Sequence, residues 1–366
     1  MAVLLGLAAG GLAVPAAALA GDDLCLTADP PPPGARALRF GITPGIAGSA
    51  GSGQGTAVPV DPRRERRALQ RLAPPRQRFV LRLNRLFLSE GRPAIRSFAR
   101  RAHRLGRAGF SVEIQVRYHP RPEQEGDLQA WSRFVRAAVR RLGRERAVVA
   151  FSITNEINFP ISSNTSDGAF ARAPEALVRG VEVAGRVLRR LGRPRAQVGF
   201  TIAWRYIPQD DAALWDEIGA LATPGFRRAL DYVGLQVYPG LVWPPAPLPG
   251  RTPGDEVVEA LTLLRGCYMP KAELGRRVRL WVSENGYPTR PVVETEAGQA
   301  QSLVSTVESV AAVARSLRVT DYRYFNLRDN DSDGADLFAT VGLMRDDYTP
   351  KVAFGTYRAL VRRFGR

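Results

Sequence analysis

Two short motifs place carboxylates where chemistry can use them. Asn155-Glu156 follows the apolar run 148–154, and Glu284-Asn285 follows the apolar run 278–283. In both, a glutamate closes a stretch that reads as a buried strand. A carboxylate there is costly unless it is paired or put to use. Two such groups facing each other suit cleavage of a glycosidic bond. One carboxyl stays protonated and gives its proton to the leaving oxygen, while the other is ionised and attacks the anomeric carbon. Their pKa values separate when one sits in apolar surroundings and the other is held by positive or polar neighbours. Either glutamate alone would suit a rim salt bridge to one of the many arginines. The pair, at matching strand ends, points to catalysis.

The elements that must position them form a regular series. The spacing predicts strands at 37–43, 78–84, 111–117, 148–154, 197–203, 232–238, 278–283 and 321–326. Helical patterns, apolar at three- and four-residue spacing, lie near 62–73, 91–107, 127–143, 174–192, 211–220, 255–265, 297–317 and 351–364. Eight strands alternating with eight helices is the count of an α/β chain folded as a single (β/α)8 TIM barrel. The fourth and seventh strands are then three positions apart on the ring, so Glu156 and Glu284 face each other across its mouth. An open doubly wound sheet is the alternative, and it would carry a glycine-rich phosphate loop after its first strand. The glycine-rich stretch 45–55 follows Pro44, and no helical pattern begins before about Asp61, so it reads as a plain loop.

Composition narrows the classes further. With 366 residues, 45% hydrophobic and 24% charged, the chain is globular, not disordered, collagenous or coiled-coil. Two cysteines, Cys25 and Cys267, exclude a disulfide scaffold and a Cys-rich zinc module, and two histidines leave little for a His-metal site or a Ser-His-Asp triad. The net charge of +17 invites a nucleic-acid reading. Yet Lys271 and Lys351 are the only lysines, and the arginines scatter over every predicted helix. That distribution fits a coding bias better than a basic stripe. A basic surface protein binding nucleic acid or acidic polymer remains a rival, and it predicts a steep salt dependence. A positive field also favours acidic glycans.

The leader 1–20 is apolar and ends in Ala18-Leu19-Ala20, a small-x-small pattern followed by Gly21-Asp22-Asp23. It reads as a signal peptide, with a retained anchor as the alternative, although Pro15 and its glycines make a poor span. A secreted or extracytoplasmic protein is expected, in which Cys25 and Cys267 could bond. Residues 21–36, with Pro30 to Pro33, read as a Pro-rich linker, and 37–366 as one domain.

Asn155-Glu156 and Glu284 at these strand ends resemble the pattern of clan A retaining glycoside hydrolases, most like families 5 and 39. The resemblance implies that Glu156 is the acid/base, Glu284 the nucleophile, and Asn155 a partner of the sugar 2-hydroxyl. It extends to Tyr238 at the end of the sixth strand, Arg82 on the second, which would steady the nucleophile, and His119 after the third. Gly342-Leu343-Met344 and the segment Thr349-Pro350-Lys351 resemble the clan's closing region. Many members carry a tryptophan at the end of the eighth strand. Here that strand runs Tyr324-Phe325-Asn326-Leu327-Arg328, so Tyr324, Phe325 or Tyr287 would have to substitute, and Arg328 could suit a charged sugar.

Trp204, Tyr206 and Trp243 are possible sugar platforms, and Tyr287 and Asn326 possible substrate contacts, while Trp131 and Trp215 fall within helical patterns and read as core. Residues 329–334 match the first half of an EF-hand loop, but Thr340 stands where a bidentate glutamate is needed, so an acidic loop offering Asp329 or Asp331 to substrate is preferred. Asn164-Thr165-Ser166 fits a glycosylation sequon. The expected partner is a carbohydrate substrate. No cofactor, no metal and no nucleic acid are expected, nor a membrane unless the leader is retained, and the chain is expected to be a monomer. The alternative within the fold is a catalytically silent glycan-binding barrel.

Overall fold

Eight parallel strands close into one barrel in the order β1 to β8, each bonded to its sequence neighbours and β1 to β8. This computed structural model describes residues 24–45, 58–74, 77–205, 207–242, 244, 246, 248–290, 294–336 and 338–366. The leader 1–20, most of the glycine-rich loop, Tyr206 and Trp243 lie outside the described residues.

The first half of the chain runs β1 (Arg39–Ile42), α1 (Pro62–Leu72), β2 (Val80–Phe87), α2 (Gly91–Arg107), β3 (Ser111–Arg117), α3 (Leu128–Leu142), β4 (Val148–Ile153) and α4 (Ala173–Arg190). The second half runs β5 (Gln197–Ala203), α5 (Pro208–Leu221), α6 (Pro224–Ala229), β6 (Tyr232–Gln236), α7 (Pro253–Leu263), α8 (Met269–Lys271), β7 (Arg279–Glu284), α9 (Glu296–Val313), β8 (Val319–Tyr324) and α10 (Val352–Phe364). The (β/α)8 architecture is the expected one. The sequence pattern does not reveal α6, a six-residue helix opening on Pro224-Gly225 and capped by the Thr223 hydroxyl. Caps define other helix starts: Asp61 accepts from the Arg63 and Arg64 amides ahead of α1, and Asp127 from Gln129 and Ala130 ahead of α3.

Between barrel and helices lies a continuous apolar layer. Trp131 and Trp215 belong to it, both essentially inaccessible. The indole N–H of Trp131 donates to the Ala176 carbonyl at 2.7 Å. Gly180 lets α4 approach, because a Cβ there would lie 2.6 Å from the Ile153 side chain. Truncating such a tryptophan to alanine costs about 3–5 kcal/mol.

Inside the barrel the layer is polar. Arg39 and Arg323 bind Asp321 at 2.6 and 2.7 Å, Arg323 also reaches Glu113 at 3.3 Å, and Glu113 lies 3.7 Å from Arg82. Trp281 and Tyr232 stack within this layer at 3.4 Å between ring centroids, with Arg39 and Arg323 over the indole. Gly41 leaves the space that Arg323 occupies, since a Cβ would lie 2.7 Å from its Cδ.

The Pro-rich segment before β1 is extended but not loose. Gly34 and Arg36 donate to the Ala312 and Ala311 carbonyls near the end of α9, and Arg315 donates back to Gly34. Cys25 is joined to Cys267 by a disulfide, with 5.6 Å between Cα atoms. Among the described residues no helix is long and apolar enough to cross a membrane.

Candidate active site

A cleft opens at the C-terminal ends of the strands, lined by Glu156 and Glu284 among others. Two chain irregularities aim these glutamates into it. At the end of β4 the chain turns through Thr154 and Glu156, both with left-handed backbone (φ 65° and 45°). Such conformations cost non-glycine residues about 1–3 kcal/mol each and need surroundings that impose them. Here the Asp167 carboxylate accepts from the Asn155 amide at 3.0 Å and the Tyr118 amide at 2.8 Å. The Thr201 hydroxyl accepts from the Glu156 amide, and the Ser166 hydroxyl donates to the Glu156 carbonyl at 2.6 Å.

On β7 the pairing with β6 shifts by one residue between Leu235↔Val282 and Gln236↔Glu284. An extra residue in one strand re-aims the side chains beyond it. Trp281 and Glu284 therefore both meet the barrel interior although they are an odd number of positions apart. Arg82 donates from Nη1 to Oε1 of Glu284, and the Tyr238 hydroxyl donates to Oε2 at 2.7 Å. One oxygen thus meets a guanidinium and the other a phenol, which fixes the carboxylate in place with its charge matched. The neighbouring carboxylate raises the Tyr238 pKa further above a range already lifted by burial.

Glu156 has the opposite setting. Burial, followed by the nearby charge of Glu284, pushes its pKa up to about 8. Arg117 and Arg82 oppose that rise without cancelling it. The raised pKa favours a protonated Glu156 carboxyl near neutral pH.

Asn155, next to Glu156 in the chain, is nearly buried, with its Oδ1 3.4 Å from the Arg82 guanidinium that clamps Glu284. Its Oδ1 accepts from Gln115 at 2.5 Å, Gln236 at 2.6 Å and Thr201 at 3.1 Å, and its Nδ2 donates to the Thr165 carbonyl at 2.7 Å. Asn155, Trp204 and Tyr238 all line the cleft, and Arg82 lies directly beneath Glu284. Phe325, one of three candidates for the missing strand-end tryptophan, also lines it.

Other expected contacts are elsewhere. His119 does not line the cleft; its ring packs 4.4 Å from Phe87 and 5.1 Å from Phe170, and burial followed by Arg117 holds its pKa below the usual imidazole value. Tyr287 does not line the cleft; its carbonyl accepts from Gln299. Asn326 is fully buried and does not line the cleft, and its backbone carbonyl accepts from Leu343. Tyr324 is core, 5.7 Å from Tyr357. Arg328 is consumed by the Asp346 and Val58 carbonyls, and so is not available to a charged sugar. Asp329 is buried against Lys351 Nζ at 2.7 Å and does not reach substrate space; burial pushes its pKa up to about 6 against the pull of Lys351. Neither Asp329 nor Asp331 lines the cleft.

The cleft also holds residues that sequence reasoning missed: Asn84 and Arg85 from β2, Arg117 from β3, and Arg205 after β5. Arg117 and Arg205 stand at strand ends, the signal that selected the glutamates. In so arginine-rich a chain that signal is drowned.

No protein-family model matches the chain, and no curated protein matches it. Solved structures do resemble it. A glucosidase from Croceicoccus marinus aligns with a TM-score of 0.60 at 15% identity, over 92% of this chain and 68% of that one. Fungal β-1,4-galactanases align at 0.59 and 14% identity, over 88% and 99%. GH5_18 from Streptomyces cattleya, in complex with GlcNAc, aligns at 0.58 and 16% identity, over 90% and 81%. These likenesses establish a shared barrel fold.

Proposed function

We propose that the chain is a retaining glycoside hydrolase acting on a carbohydrate by double displacement. The observation that carries this reading is the pair of glutamates in one cleft with opposite surroundings, Glu284 clamped by Arg82 and Tyr238 and Glu156 raised to about 8. Glu284 attacks the anomeric carbon and forms a glycosyl-enzyme. Glu156 donates its proton to the departing oxygen, and its carboxylate then takes a proton from the water that releases the sugar. Asn155, locked by Gln115, Gln236 and Thr201, is held rigidly next to Glu156 and within reach of Arg82. The glycosidase structures that share the fold support the class of reaction.

An extracytoplasmic setting is supported by the Cys25–Cys267 disulfide, since such bonds persist in oxidising compartments. Alkylating the native protein without reductant should then label neither cysteine.

The deciding experiment is a screen of aryl β-glycosides with wild type and Glu284→Gln, with the anomer of the first product read by NMR. Turnover with retained configuration that is lost in the variant supports the reading. Equal turnover in both proteins sinks it. Glycan binding without any turnover would favour the silent barrel.

A further inference from the structure

The cleft carries more positive charge than its own carboxylates balance. Arg85, Arg117 and Arg205 line it against Glu156 and Glu284, and Glu156 must be protonated to act. Two of the three arginines have partners. Arg117 binds the buried Asp167 at 2.6 Å, and Arg205 lies 3.4 Å from Asp211. Arg85 has no hydrogen bond or ion pair with a carboxylate among the described residues. Glu90 attracts it without forming a pair.

The backbone holds Arg85 in this position at a cost. The β2–β3 register shifts between Leu83 and Leu86. Through this bulge the consecutive residues Asn84 and Arg85 both face the cleft, where a regular strand would send them to opposite sides. Arg85 itself has φ 72°, the left-handed region that disfavours a side chain.

Its neighbour is another cation. The Arg85 and Arg117 guanidiniums lie 5.2 and 5.5 Å from the same Phe87 ring. Burial, followed by the repulsion of Arg117, holds the Arg85 pKa below its usual value. A half-buried cation, strained, repelled and facing open cleft space, is what an incoming anion would stabilise.

We infer that Arg85, with Asn84 beside it and Arg117 behind it, receives an anionic group of the substrate, so that the glycan carries a carboxylate or a sulfate ester. This rests on the glycoside hydrolase reading for its catalytic sense, but binding tests it separately.

The test uses Glu284→Gln protein and matched pairs of sugars: β-glucuronides against β-glucosides, β-galacturonides against β-galactosides, and sulfated against unsulfated oligosaccharides of each. Calorimetry at low salt should show at least one anionic member bound about ten- to a hundred-fold more tightly than its neutral partner, the usual weight of a hydrogen bond to a charged group. The uronate and sulfate arms tell the two anions apart. Adding Arg85→Gln should abolish most of that preference, and Arg85→Lys should restore part of it. In the enzyme with Glu284 intact, Arg85→Gln should raise KM for the anionic substrate with a smaller effect on kcat. A panel in which no anionic sugar outcompetes its neutral partner overturns the inference, as does a preference that survives Arg85→Gln. If no substrate is turned over but the preference is present and depends on Arg85, the hydrolase reading fails while the anion site stands.

Discussion

Arg82 and Arg85 lie three residues apart on β2 and answer to different constraints. Arg82 is fully buried in the barrel, bonded to Glu284 and 3.7 Å from Glu113, at the top of a ladder of charges that descends through Arg323 and Asp321 to Arg39. Desolvation works against its charge, but Glu284 and then Glu113 outweigh it, so its pKa is raised. Arg85 stands at the rim in left-handed backbone, and there burial and Arg117 win. A buried charge with its partners in place is structure, and removing it strands those partners. A rim charge with no carboxylate partner, held only against the Phe87 ring, contributes little to the fold and remains open to a ligand.

This contrast can be broken in several ways. The largest expected effect belongs to the carboxylate that Arg82 serves: Glu284→Gln should lower kcat/KM by about 10⁴-fold or more, measured on whichever glycoside wild type cleaves. Next is Arg82→Met, which leaves Glu284 and Glu113 without their shared cation. It should destabilise the fold by about 3–5 kcal/mol in a urea titration, and a loss below about 1 kcal/mol would show that the ladder is not structural.

A smaller effect comes from Glu156. Its pKa in the fold, about 8, lies above the ordinary 4.5, so the fold favours the protonated form. Its contribution to stability is therefore full below about pH 4.5 and is lost as pH rises through about 8. Glu156→Gln should flatten that decline and melt higher than wild type at about pH 8, with little difference at about pH 4. The same group predicts that turnover of substrates with poor leaving groups falls above about pH 8, and that this limb vanishes in the variant, which itself loses about 10²–10⁴-fold. The smallest effect is expected at Arg85→Gly, where relief of the left-handed strain should leave stability unchanged or raise it by about 1 kcal/mol. A loss comparable to that of Arg82→Met would erase the distinction between the two arginines.

Much of the barrel was legible in the sequence because helix and strand periods differ and the strands recur at regular intervals. β3 and β5 fall where the spacing puts them, and α2 does too. β2 shows the limit. Its apolar pattern stops at residue 84, whereas the strand continues to Phe87 through a bulge that interrupts the alternation. Arg85 was missed for that reason. Likewise Val112-Glu113-Ile114-Gln115-Val116-Arg117 alternates like a strand with one wet face, yet Glu113 and Gln115 are wholly buried. The polar face of β3 looks into the barrel, where Glu113 meets Arg323 and Gln115 meets Asn155. Local alternation is the same whether the polar side faces water or a closed ring of charges.

The amino-acid sequence by itself determined the alternation of elements, hence the (β/α)8 barrel, and the presence of a glutamate at each of two strand ends. Those facts are local, written in periodicity and in the residue that closes an apolar run. The tertiary structure alone decided which of the many arginines are paired. It joined Cys25 to Cys267 across 242 positions, set Arg82 under Glu284, and withdrew His119, Asn326 and Arg328 from the cleft. The physical reason is that charge pairing and burial depend on distance in space, and closing the ring brings together side chains that chain order keeps far apart.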